Sequence, residues 1–134
     1  VHRLLHDFPH QVRLVVLQLP SGRKNAKLTA EAALAAWGQG KYWQMDDKLA
    51  ENFPRFDRKE LLQYAGEIGL DMELFKRDLD TKKYEKIIER DQKLGAKLGV
   101  FATPTFFING RMQVGAPPYP EFKAMIEEEL AKEQ

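Results

Sequence analysis

Gly99-Val100-Phe101-Ala102-Thr103-Pro104-Thr105-Phe106-Phe107-Ile108-Asn109-Gly110-Arg111 is the stretch on which the fold turns. Thr105 to Ile108 is β-branched and aromatic, the composition of a strand with at least one buried face. Asn-Gly follows at once. Both residues tolerate the positive φ that a type I′ turn needs at its two central positions, so a tight hairpin is expected. Arg111 to Val114 then returns as the antiparallel partner. Pro104 stands at the strand's entrance, where a missing N–H is tolerated.

On the C-terminal side, Gly115-Ala-Pro-Pro-Tyr-Pro120 is a stiff connector, with Pro120 suited to the first position of a helix. Phe122, Met125, Ile126 and Leu130 form a helical stripe that can cover the sheet, leaving Glu127 to Glu129 as the solvated face. At the N-terminal end, Val1, Leu4, Leu5 and Phe8 fall at i, i+3, i+4 and i+7, so a helix is already running at residue 1, and Pro9-His10 ends it. Val12 to Leu19 is almost unbroken apolar sequence and reads as an interior strand covered on both faces. Pro20 to Lys27 reads as a solvated loop.

From Thr29 to Leu98 the pattern is helical throughout. Thr29 is placed to cap the alanine-rich run Ala30 to Trp37, and Gly38 and Gly40 to close it. Tyr42, Met45, Leu49 and Phe53 line one face of the next helix. Asp57-Arg-Lys-Glu60 has capping-box spacing, with Phe56 and Leu61 placed as a hydrophobic staple, and Gly69 ends that helix. Leu70-Asp71 and Phe75 repeat the staple for a short helix to about Leu79. The last helix runs from about Lys82 to Leu98, with Tyr84, Ile87, Ile88, Leu94 and Leu98 inward and Gly99 as its stop.

A chain of 134 residues is one domain by size, divided here as 1–27 (helix, strand, loop), 28–99 (helical block) and 100–134 (hairpin and final helix). With 21 basic against 20 acidic side chains, the net charge of +1 gives no reason to expect nucleic acid as a partner. No apolar run is long enough for a membrane span, so no membrane partner is expected either. Cysteine is absent, which excludes disulfides, thiolate metal sites and thiol chemistry by these residues.

Thr103-Pro104 followed by a hydrophobic strand, Asn-Gly and a second strand resembles the cis-proline hairpin of thioredoxin-fold proteins. The longer runs ATPTFFINGR (102–111) and VGAPPYPEFKAMIEEEL (114–130) resemble the DsbA-like branch, the protein-disulfide oxidoreductases. Gln39-Gly-Lys-Tyr-Trp-Gln-Met45 and Ile68-Gly-Leu-Asp71 are similar to that family's helical insertion. The resemblance implies an α/β, thioredoxin-like fold of the DsbA type with an all-helical insertion, lacking the first strands of the central sheet.

It also implies thiol–disulfide exchange with protein or peptide substrates, no cofactor, and a bacterial periplasmic or other extracytoplasmic setting. In the family a Cys-x-x-Cys pair opens the helix that Val1 to Leu5 continues, and the residue before the cis-proline presents its backbone to substrate. Thr103 and Pro104 are therefore the expected substrate-binding residues. The catalytic pair is expected a handful of residues before Val1, absent by truncation rather than by substitution. These residues alone should then be inactive. Two other readings stay open: a non-redox peptide-binding or assembly module, and a glutathione-dependent isomerase or transferase relative.

His2 and His6 have the i, i+4 spacing that metal sites use, but no third ligand is evident and a solvent-facing pair is the simpler reading; no metal site is assigned. Trp37, Tyr42 and Trp43 could line a peptide groove or pack between helices. In the thioredoxin fold the strand before Cys-x-x-Cys lies between the strands represented here by Val12–Leu19 and Thr105–Ile108. Without it, both would present unpaired backbone groups, so self-association through those edges, as a homodimer, is expected.

Overall fold

A computed structural model describes residues 1–133, which form two compact units: Val1–Val16 with the chain from Ala96 onward, and Leu17–Gly95. The helical block thus starts and stops a little earlier than the 28–99 read from sequence. No helix among the described residues is long and apolar enough to cross a membrane.

In the first unit, α1 (His2–Asp7) and α7 (Tyr119–Lys132) flank a hairpin of β1 (Thr105–Ile108) and β2 (Arg111–Val114). The register pairs Ile108 with Arg111 across Asn109 (φ 49°) and Gly110 (φ 85°), the two positive values a type I′ turn demands. A lone hairpin is marginal in water, so its stability comes from one apolar face. Ile108 is buried with Leu4 and Phe8 of the α1 end and with Met125 and Ile126 of α7. The Phe106 ring meets Phe122 edge-on at 4.8 Å. That geometry adds about 0.5–1.5 kcal/mol beyond area burial.

Two details of α7 differ from the sequence reading. Pro120 follows Tyr119 and is therefore the second helical residue. Glu129 is not on the solvated face but buried, its carboxylate accepting from Lys132 Nζ at 2.7 Å.

A clasp 112 residues wide in sequence holds the two helices of this unit together. The Tyr119 hydroxyl donates to Asp7 Oδ2, and the Arg3 guanidinium lies over the Tyr119 ring, 4.1 Å from its centre. That hydrogen bond, with a smaller contribution from His6, holds the Asp7 carboxyl below its ordinary value of 3.8, while burial pushes the Tyr119 hydroxyl up.

The largest correction concerns Val12–Leu19, which forms no strand. Among the described residues no backbone ladder reaches it; Val15 and Val16 are 63% and 43% exposed. Composition supplied strand-forming residues, but a strand exists only with a partner edge. What anchors the segment's end is a side chain: the Gln18 N–H donates to the buried Asp91 carboxylate at 2.9 Å.

The second unit contains α2 (Ala26–Gly38), α3 (Tyr42–Asn52), α4 (Arg58–Glu67) and α5 (Met72–Asp80), with most of α6 (Glu85–Lys97). Ala30 to Ala36 is buried without a break, which makes α2 a central helix that α3, α4 and α5 surround. Alanines suit that position because small side chains let backbones approach. Phe75, Met45, Leu61 and Ile88 fill the space between.

α2 begins one turn before the expected cap. Thr29 lies inside the helix, its hydroxyl donating to the Asn25 carbonyl at 2.7 Å, so its oxygen bonds backward instead of capping forward. The Asp57–Glu60 capping box is complete, and Asp71 caps α5 through the Leu74 N–H at 3.1 Å. Gly69 (φ 79°) and Gly99 (φ 77°) end their helices in the left-handed region as expected.

Phe53 is not on the inward face: it lies past the end of α3 and is exposed, and its bond to Pro54 is cis. Leu94 and Leu98 are also exposed, unlike Tyr84 and Ile88, because the inward stripe of α6 meets the core only along its first turns.

Two glycines in this unit should respond in opposite directions to alanine. A Cβ on Gly38 would fall against the Tyr84 hydroxyl, closer than real Cβ atoms approach, and Tyr84 is buried. Gly38→Ala should destabilise by about 1–3 kcal/mol. Gly66, inside α4 with nothing within 4 Å of its Cβ position, should tolerate the change, and Gly66→Ala should stabilise by about 0.4–1 kcal/mol. Urea unfolding curves of both variants check the signs.

The clasp predicts a pH effect in the first unit. A carboxyl held low by folding contributes stability that is present above its unfolded value, near 3.8, and lost as pH falls through its lower folded value. Tyr119→Phe removes the main cause of that depression. Below about pH 4 the native chain should therefore lose stability more steeply than the variant. Superimposable acid-unfolding curves would contradict the assignment.

Candidate functional site

The loop that enters the hairpin is built from short local bonds. The Thr105 hydroxyl donates to the Ala102 carbonyl at 2.5 Å, folding residues 102–105 into a tight corner. The Gly115 N–H donates to the Pro104 carbonyl at 2.8 Å, which extends the hairpin past its last ladder pair. The Thr103–Pro104 peptide bond is cis. Both residues are exposed, and Phe101 beside them is 81% exposed.

Thr103 and Pro104, the expected substrate-binding residues, thus sit together on the surface at the mouth of β1. Phe101 was not singled out by its sequence. A lone aromatic two residues before a loop corner carries no signal of whether it turns in or out.

One face of the hairpin is committed to α1 and α7; the other bears Phe107 and Met112, directly opposed in the register, with Thr105 and Val114 as the next pair. Phe107, Met112 and Val114 are each about two-fifths exposed. A groove of about 170 Å³ runs along this unit. It is lined by residues 11–14 and 106–109 together with Leu4, Phe122, Ile126 and Leu130. Glu129 and Glu133 supply carboxylates, and the Lys132 ammonium holds that of Glu129 below its usual value.

The remaining sequence candidates divide differently. His2, His6 and His10 are all exposed, and His6 Nδ1 lies 3.3 Å from Asp7 Oδ1 in the α1 clasp. In the helical unit, Tyr42 and Trp43 pack edge to face at 5.2 Å, and Trp37 meets Tyr84 edge-on at 6.3 Å while remaining 57% exposed. Tyr42 also accepts from Gln18 Nε2 at 3.3 Å, so its hydroxyl helps fix the end of the unladdered segment.

Two polar features of the helical unit escaped the sequence reading. Glu31 is buried within α2, its Oε1 accepts no hydrogen bond among the described residues, and burial raises its carboxyl above the ordinary range despite Lys27. Gln39 pairs through both ends of its side-chain amide with the backbone of Asp71, at 3.2 and 2.8 Å, imitating a peptide group of a ladder. Nothing in local sequence marks either.

Comparison with known proteins places this geometry. A crystal structure of a thioredoxin-like oxidoreductase from Silicibacter pomeroyi DSS-3 superposes with a TM-score of 0.86 and 28% identity, over 99% of this chain and 75% of that one. A protein named Na(+)/H(+) antiporter NhaA from Herminiimonas arsenicoxydans is 35% identical over 120 residues, 90% of this chain but 19% of its own length. Disulfide bond formation protein D of Bacillus subtilis (strain 168) is 28% identical over 117 residues, 80% of this chain and 52% of that protein. The chain therefore spans about a fifth of the antiporter-named relative and about half of the Bacillus one. The sequence model of the DSBA-like thioredoxin domain matches residues 8–127, and with the fold shared as well, this chain belongs to the DSBA-like thioredoxin family.

Proposed function

We propose that this chain is the substrate-facing portion of a DsbA-like thiol–disulfide exchange domain, acting on protein dithiols and disulfides with a thiolate that these residues do not supply. The observation that carries this reading is the family match across residues 8–127 in a chain with no cysteine. Exchange requires a thiolate to attack a disulfide sulfur and form a mixed disulfide. Ser, Thr and Lys side chains cannot enter that reaction. What these residues can contribute is recognition: the exposed Thr103–Pro104 corner offers backbone to an extended peptide, and Phe101 offers an apolar contact beside it.

A second reading has one observation in its favour. Homologous sequence makes up about a fifth of longer proteins named as Na(+)/H(+) antiporters, so a domain of this kind occurs within longer polypeptides. A non-redox peptide-binding or assembly module is consistent with that setting.

Insulin reduction separates activity from recognition. The 134-residue chain should give no turbidity above the dithiothreitol background, and a rate above it would overturn the proposal. Cysteine-containing peptides in extended form should still protect the amides around Thr103 in hydrogen exchange. Thr103→Pro, which removes a backbone donor from an exposed position, should weaken that binding by about tenfold or less, as expected for one hydrogen bond.

A further inference from the structure

The central helix of the helical unit carries an acid where its neighbours are alanines. Glu31 is 5% exposed within the unbroken buried run from Ala30 to Ala36, and its Oε1 accepts no hydrogen bond among the described residues. An ionised carboxylate in that position gives up its hydration and gains no donor at that oxygen, whereas the neutral acid gives up far less. The charges that act on it come from three places: Lys27 one turn earlier on α2, Lys82 in the turn after α5, and Glu85 in the first turn of α6. The helices α3, α4 and α5 also pack on α2, and none of their charges acts on Glu31 among the described residues.

Both of these cations are engaged elsewhere. Lys27 Nζ lies 3.3 Å and Lys82 Nζ 3.9 Å from the same atom, Glu85 Oε2. The first of these pairs joins α2 to α6. Lys27 and Glu31 are four residues apart on one helix, a spacing at which side chains are neighbours, so the ammonium has a second carboxyl within reach.

We propose that Glu31 keeps its proton in this arrangement, and that loss of the proton to solvent draws Lys27 from Glu85 to Glu31 and releases the tie between α2 and α6. Proton, lysine and helix contact form one latch, closed in acid and open in base. The buried carboxyl decides where Lys27 goes, because an unpaired charge costs more there than at Glu85, whose side chain is 33% exposed and keeps its contact with water.

Folding raises the Glu31 carboxyl above its ordinary value of 4.5; burial is the largest cause, followed by Lys27 against it, Glu85 with it and Lys82 against it. A raised carboxyl contributes stability that is fully present below the unfolded value and lost as pH rises through the folded one. Asp7 behaves in reverse, since its clasp weakens as pH falls through a value held below 3.8. Acid therefore loosens the first unit and tightens the helical one.

Carbon-13 titration of the glutamate side chains in the 134-residue chain tests the latch, with the Glu31 signal identified by its loss in Glu31→Gln. A midpoint above 4.5 is expected, and one at or below that value overturns the proposal. Glutamine copies the shape of the neutral acid and cannot ionise, so the variant should stay latched at every pH. Between about pH 5 and about pH 8 the unfolding constant of the native chain should rise relative to that of Glu31→Gln by about fivefold or more, as one buried unpartnered charge requires. A ratio independent of pH sinks the idea. The movement of Lys27 has its own signature. Lys27→Met should raise the Glu31 midpoint and Glu85→Gln should lower it. Protection of the Ile88 N–H, bonded to the Tyr84 carbonyl in the first turns of α6, should fall as pH rises in the native chain and hold steady in Glu31→Gln. Midpoints indifferent to both substitutions, or Ile88 protection that falls equally in the two chains, would contradict the exchange of Lys27.

Discussion

A strand's backbone carries polar groups on both edges, and in an interior strand both are paired. In β1 only one edge is: Phe106 and Ile108 bond to β2, while the peptide groups of Thr105 and Phe107 have no partner strand among the described residues. An unpaired buried peptide group costs on the order of 1–3 kcal/mol, comparable to the whole contribution of a buried aliphatic side chain. The unpaired edge therefore stays in contact with water or with another strand. This constraint fixes much else in the first unit. The apolar face of the hairpin can seal against α1 and α7 through Leu4, Phe8, Met125 and Ile126, because side-chain packing asks nothing of that edge. The segment 12–16 cannot become a strand, because the neighbour it needs is not among these residues.

The helical unit is built on a different principle, and it meets its own backbone needs locally. Its termini are closed by Asp57 with Glu60, by Asp71, and by glycines at positive φ. Distant side chains add to these closures: Lys41 Nζ donates to the carbonyls of Ile68 and Gly69 at 2.9 and 3.3 Å. Gln39 does the same for Asp71. Such side-chain substitutes for backbone bonds let a small helical block hold its shape without a sheet. One carboxyl is left over: Glu31, buried in the central helix with one oxygen unpartnered among the described residues, has its pKa raised by burial.

How much of this could be read from sequence follows from how local each cause is. The Asn109-Gly110 turn, the capping box at Asp57 and the stop at Gly69 are decided within four residues, and the sequence shows them. The stripe on α7 was legible because helical periodicity is local too. Val12–Leu19 was misread because strand formation depends on a partner whose presence a composition cannot report. Leu94 and Leu98 continue the periodicity of α6 past the point where there is a core to meet. The Asp7–Tyr119 clasp joins residues more than a hundred positions apart, and neither has a neighbour that hints at the other. Glu129 sits in an acidic run and reads as solvated until Lys132, one turn on, is seen to cover it.

The site divides along the same line. Thr103 and Pro104 could be named because the motif that resembles the family's cis-proline hairpin is contiguous in sequence, while the groove could not, because its lining comes from separate stretches of chain. Recognition and reactivity also have different physical requirements. A peptide can be held by exposed backbone and an apolar rim, and both are present at residues 101–104. Exchange needs a thiol of suitable pKa, and the four methionine thioethers, which carry no ionisable S–H, do not provide one. The two requirements are separable: an exposed corner depends on backbone shape alone, whereas exchange depends on a thiol, and these residues contain none.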